Sequence, residues 1–203
     1  MRRSLLLAAG AALLVLAAGA GLQVGAQTGD SLRPVSDFAA IGDNDARAAA
    51  LFEEAAKVFA HPRCMNCHPA TDRPLQTDQM RPHQPLVVRG EDGHGAAGLA
   101  CNTCHGEANF DPAGVPGDPH WALAPASMAW VGKSVGEICR QLSDPERTGG
   151  RDLAAIIEHV DNDSLVLWGW SPGAGRTPAP GTNEEFVALL RAWVDAGAAC
   201  PPS

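Results

Sequence analysis

Two five-residue stretches carry the chemistry of this chain: Cys64-Met65-Asn66-Cys67-His68 and Cys101-Asn102-Thr103-Cys104-His105. Each sets two thiols three positions apart, with an imidazole directly after the second. That spacing lets the thiols add across the two vinyl groups on one porphyrin edge. It also brings the histidine under the iron as the proximal ligand. The pair predicts two covalently bound haem c groups. Cys64, Cys67, Cys101 and Cys104 are then the thioether residues, and His68 and His105 the proximal iron ligands. The alternative is a zinc ion held by the four cysteines. It leaves two histidines in identical positions unexplained, and an oxidising compartment would threaten four free thiols.

Each iron then needs a sixth ligand or an open face. The remaining histidines are His61, His83, His94, His120 and His159, and the methionines within reach are Met65, Met80 and Met128. His61 lies one turn before Cys64, awkward for reaching over the same haem. Met65 is inside the first motif, and Met80 competes with nearby His83. His94, in Asp92-Gly93-His94-Gly95, and His120, after a Gly/Pro-rich segment, read as solvent-facing loop residues. His83 is the better choice. It is framed by prolines in Arg81-Pro82-His83-Gln84-Pro85, and prolines lower the entropy cost of holding a ligand. For the haem on His68 two candidates stand. His159 lies on a partly apolar helix face, and its plainer role is a helix-end histidine bonded to carbonyls. Met128 follows His68 by 60 residues, and its plainer role is core packing. His159 is preferred and Met128 is the alternative. The choice matters because methionine generally raises a haem potential relative to histidine.

Residues 61–106 resemble the small dihaem subunit of periplasmic nitrate reductases, which has two C-x-x-C-H motifs, an intervening histidine at similar spacing and an Asp-Gly turn. The resemblance implies that His83 ligates the haem on His105. The chain departs from that pattern upstream, where only His61 precedes Cys64 in the mature region. The first haem must therefore be served differently. Trp130, Trp168-Gly169-Trp170 and the Pro/Gly-rich stretches are also similar to bacterial dihaem proteins labelled as an isoquinoline 1-oxidoreductase subunit. Both resemblances imply an electron shuttle beside a periplasmic redox enzyme.

Cys139 and Cys200 belong to neither motif. In an oxidising compartment two leftover thiols most simply form a disulfide, the alternative being two buried free thiols. The closed loop of about 60 residues would stabilise the fold by roughly 4 kcal/mol.

The oxidising compartment follows from the start of the chain. Residues 1–26 read as a secretory signal, with Arg2 and Arg3, an uncharged apolar run from Leu5 to Ala20, and small residues at Val24-Gly25-Ala26. The run is rich in Ala and Gly and short for a span, which needs about 20 strongly apolar residues. Cleavage, not retention as an anchor, is expected, leaving no stable membrane span and a periplasmic protein. Removing 26 of 203 residues leaves about 177, which suits one domain. The formal charge of −8 becomes about −10 without the two arginines. Such a surface excludes nucleic acid as a partner. It suits a periplasmic or membrane-bound redox enzyme with a basic docking patch.

The elements that must position these residues read as mainly α with extensive irregular loops, a single dihaem cytochrome c domain. Residues 27–42 read as a flexible lead-in and 43–203 as the domain. A helix is expected over Asp43–Ala60, where Leu51, Ala55, Val58 and Phe59 share a face and Asp43 or Asn44 caps the start. Pro62 stops it before the first motif. Residues 69–100 and 106–127 read as loop from their Gly and Pro content. Capping boxes at Ser134–Glu137 and Thr182–Glu185 open two later helices, and Asp152–Val160 forms another. Gly197 suits a left-handed helix end. Only Leu86-Val87-Val88 hints at a strand. The chain has no Tyr and few other aromatics, so two haems would supply much of its apolar packing.

The expected function is electron transfer without catalysis, through two six-coordinate haems. The rival is a peroxidase-like dihaem enzyme with one open iron, for which Glu107, Asp111 and His94 are the nearest acid–base groups.

Overall fold

The described residues of the computed structural model are 31–203; the expected signal, residues 1–26, lies outside them. Helix α1 (Asn44–Phe59) starts where the Asp43 carboxylate accepts from the Ala46 amide at 2.8 Å. Its apolar positions recur every three to four residues, so Ala48, Leu51, Phe52, Ala55, Val58 and Phe59 are buried together. Pro62 opens the one-turn helix α2 (Pro62–Met65) with His61 as its N-cap. The first motif is thereby delivered straight from the end of α1.

The later helices are α3 (Val135–Leu142), α4 (Leu153–Asn162), α5 (Ser164–Leu167) and α6 (Asn183–Asp195). Both capping boxes form, Ser134 with Glu137 and Thr182 with Glu185. α6 packs on α1 and α4. An aromatic line runs through the core: Trp193 meets Phe52 at 4.9 Å, Phe52 stacks on Phe59 at 5.5 Å, and Phe59 edges Phe186 and Trp130 at 5.0 and 5.2 Å. Trp193 satisfies its indole N–H on the Ala199 carbonyl at 3.0 Å. Gly197 and Ala198 turn left-handed just after α6. Cys139 of α3 is joined to Cys200, Cα atoms 5.6 Å apart, which ties the end of the chain to α3.

Two expectations need correction. The described part of the lead-in is anchored at two points: Val35–Phe38 form a 3-10 turn, and Leu32 and Phe38 are buried in the core with exposed residues between them. The Arg33 amide also donates to Glu54 of α1 at 2.9 Å. The strand hint is misplaced as well. Leu86 and Val88 are exposed, and the pairing instead lies in two antiparallel two-residue pairs, β1 (Leu75–Gln76) with β2 (Arg81–Pro82) and β3 (Gly95–Ala96) with β4 (Leu99–Ala100). Three apolar residues in a row give no alternation, so that run had no face to bury. The architecture is mainly helical, with short pairings and long irregular segments. No helix among the described residues is long and apolar enough to cross a membrane.

Candidate functional site

The first motif sits under a strap formed by residues 124–131. The Ala124 amide donates to the Cys67 carbonyl at 3.1 Å, and the Trp130 amide to the His68 carbonyl at 2.9 Å. His68 Nδ1 lies 2.7 Å from the Met128 carbonyl, and the Trp130 ring stacks on the imidazole, 3.4 Å between centroids and nearly parallel. Buried Arg89 anchors the strap by donating to the carbonyls of Ala124 and Thr71. A carbonyl accepts only from an N–H, so Nδ1 carries the proton and Nε2 keeps its lone pair for a metal.

That nitrogen belongs to a cavity of about 310 Å³, within the range of about 300–1,000 Å³ typical of small-molecule pockets. Cys64, Cys67, His68, Met128 and His159 all line it, with Phe59, Ile156, Val160 and Phe186 as apolar wall. Burial, reinforced by the neighbouring Cys67 thiol, pushes Cys64 up to about 12, and burial pushes Cys67 up to about 11. Burial also draws His68 down to about 4, although its bond to Met128 opposes this. The pocket therefore holds neutral thiols and a neutral imidazole. A redox dithiol calls for a thiolate, which this setting disfavours. Among the described residues no three His, Cys, Asp or Glu side chains converge to hold a metal ion.

His159 faces the same cavity from α4, its Nδ1 3.2 Å from the Asp163 carboxylate. Burial holds it below its ordinary value, with Asp163 opposing. Met128 is also in the wall, and its carbonyl is the one that His68 Nδ1 meets. His120 has both ring nitrogens engaged, Nε2 with Asp163 at 3.0 Å and Nδ1 with Asp118 at 3.1 Å.

The second motif repeats the proximal arrangement on unrelated residues. His105 Nδ1 meets the Pro116 carbonyl at 2.7 Å, and Trp121 stacks on the ring at 4.6 Å. Gly117 follows because a Cβ there would strike the carbonyls of Gly106 and Ala108. Asn109 clamps this loop, accepting from the Gly117 amide at 3.1 Å and the Trp168 indole at 3.0 Å. His83 stands across from His105 with ring centroids 6.0 Å apart. Its carbonyl accepts from Arg73 at 2.6 Å, its amide donates to Pro74 at 2.9 Å, and its Nδ1 lies 3.0 Å from the Pro85 carbonyl. With metal–imidazole bonds of about 2.0–2.1 Å, two imidazoles on opposite sides of one ion have centroids about 6 Å apart.

The two motifs are neighbours: the Gly93 carbonyl lies 3.9 Å from the Cys101 sulfur and accepts from the Leu123 amide at 2.9 Å, and the next residue, Ala124, donates to Cys67. Of the other histidines, His61 caps α2 and His94 is exposed in an Asx turn. Glu107 and Asp111 are exposed too.

No protein-family model, curated protein or solved structure matches the chain.

Sequence reasoning missed the groups that hold these histidines. The acceptors at Met128, Pro116 and Pro85 are backbone carbonyls and have no residue signature. Trp121 and Trp130 could be noticed only as aromatics in otherwise aromatic-poor loops. Arg63 and Trp130 also line the first cavity, each with a buried N–H, Nε and Nε1, that has no partner among the described residues.

Proposed function

We propose that this protein is a dihaem c-type cytochrome, exported to the periplasm, that carries single electrons to or from a partner redox enzyme. The observation that carries this reading is the His83–His105 pair: two imidazoles 6.0 Å apart, each with Nδ1 committed to a backbone carbonyl and Nε2 left over. An ion held between them would use both lone pairs.

Cys101 and Cys104 would attach the second haem, with His105 and His83 as axial ligands. Cys64 and Cys67 would attach the first, with His68 and His159. The chemistry a bound haem supplies is a one-electron iron couple. The chain's own residues do the rest. The carbonyls and the Asp163 carboxylate fix each imidazole's tautomer and plane. Trp130 and Trp121 pack each proximal ring. The orphaned N–H groups of Arg63 and Trp130 suit a propionate, which accepts hydrogen bonds and carries the charge that Arg63 can partner. The apolar wall of Phe59, Ile156, Val160 and Phe186 would pack against the porphyrin at the first site. If His83 and His159 each held an iron together with His105 and His68, no position would remain for a substrate, which favours electron transfer over peroxidase chemistry. Glu107, Asp111 and His94, the nearest acid–base groups to the second motif, are exposed. The nitrate-reductase-like region implies the same shuttle role, and the acidic chain suits a partner with a basic patch.

The test is the absorption and low-temperature paramagnetic resonance spectrum of the purified holoprotein. Two low-spin haems per chain, unchanged by carbon monoxide, are expected. His83→Ala should turn one of them high-spin and open to carbon monoxide, and His159→Ala the other. A wild-type high-spin signal that binds carbon monoxide would sink the reading.

A further inference from the structure

We infer that Asp163 is a positioning residue for His159, so that the iron on His68 is tuned by a carboxylate while the iron on His105 is not; this rests on the dihaem reading above.

Four imidazoles face the two motifs. Three of them engage a neutral backbone carbonyl through Nδ1: His68 with Met128, His105 with Pro116 and His83 with Pro85. His159 alone engages a carboxylate, Asp163 Oδ2 at 3.2 Å.

The fold builds this difference at the junction of two helices. Asp163 closes α4 and caps α5, with one oxygen, Oδ1, accepting from the amides of Leu165 and Val166 at 3.0 and 3.2 Å. The same oxygen meets His120 Nε2 at 3.0 Å. Oδ2 remains for His159, four residues earlier on the same face. Every partner of this carboxyl is a donor, two backbone amides and two histidine rings, which favours its carboxylate form.

An anionic acceptor draws the Nδ1 proton more strongly than a carbonyl does. Nε2 then becomes the more electron-rich donor, which favours the oxidised iron. Asp163 should hold the potential of that haem below the value it would have with a neutral partner.

The test is a spectroelectrochemical titration of wild-type holoprotein against Asp163→Asn and Asp163→Ser. Both replacements retain an N-cap side chain for α5, and neither carries a charge. In both variants the potential of one haem should rise while the other stays put. The moved haem should be the one that turns high-spin in His159→Ala. Two intact low-spin haems with unmoved potentials, or an equal shift of both, would overturn the role of Asp163 and leave the dihaem reading standing. Fewer than two haems per chain in a pyridine haemochrome assay, or His159→Ala leaving both haems low-spin, would overturn both.

Discussion

Arg63 and Asp78 act together at the edge of the first site. Arg63 is buried beside Cys64 and ion-pairs with Asp78, whose other oxygen accepts from Thr177. Burial pushes the Asp78 carboxyl up, but the Thr177 bonds and Arg63 outweigh it and hold the group below its ordinary value of 3.8. A carboxylate with a depressed pKa contributes stability that is present above its unfolded value and lost as pH falls through the folded one. Asp78→Asn should therefore lower the denaturation midpoint near neutral pH, with the gap from wild type closing as the pH drops below 3.8. Urea titrations at a series of pH values check this, and a gap that persists at the acid end would refute it. At this scale the sequence was legible where chemistry fixes spacing. The C-x-x-C-H spacing and the proline-framed His83 stand out because both signals are local, and the structure sets His83 beside His105. The partners of those histidines were not legible. A carbonyl is carried by every residue, and Asp163 finds His159 only because one helix ends and another begins at that residue.

The helices were readable because their signals are repeated and redundant. α1 has a capping Asp43 and a regular apolar face, and α3 and α6 each open with a capping box that forms. Ser134→Ala and Thr182→Ala should each destabilise the protein by about 1 kcal/mol, measured as a shift in thermal midpoint. The cost should be visible in the holoprotein without loss of either haem spectrum, because both caps are exposed and remote from the cavity lining. The irregular segments were less readable. Leu32 and Phe38 looked like lead-in because their partners, in α1 and α6, lie far along the chain. The β1–β2 and β3–β4 pairs are too short to show a period of two. Their work is to return the chain at Pro82 and Ala100, one residue before His83 and Cys101 respectively.

On the scale of the whole molecule, one apolar cluster runs from Phe38 through the aromatic line to Trp130, so the first candidate site is continuous with the core. Trp193→Ala, at the far end of that line, should cost about 3–5 kcal/mol. The Cys139–Cys200 link closes 61 residues and should contribute roughly 4 kcal/mol. Replacing both cysteines with serine should show that loss in urea unfolding of the holoprotein, and an unchanged midpoint would mean that the unfolded chain is not restrained by the link. The disulfide was legible from cysteine arithmetic alone. The shared core between helices and haem motif was not, because it depends on where the strap of residues 124–131 lies.

The bond that braces each proximal histidine spans a very different stretch of chain. His105 reaches its carbonyl 11 residues away, and His68 reaches its own across 60. Closing the longer loop costs about 1.5 kcal/mol more. His83, His105 and Pro116 all lie within residues 83–116, whereas the first site waits for Met128 and then His159. Along the chain, the motif that comes first thus waits longest for the carbonyl that braces its histidine.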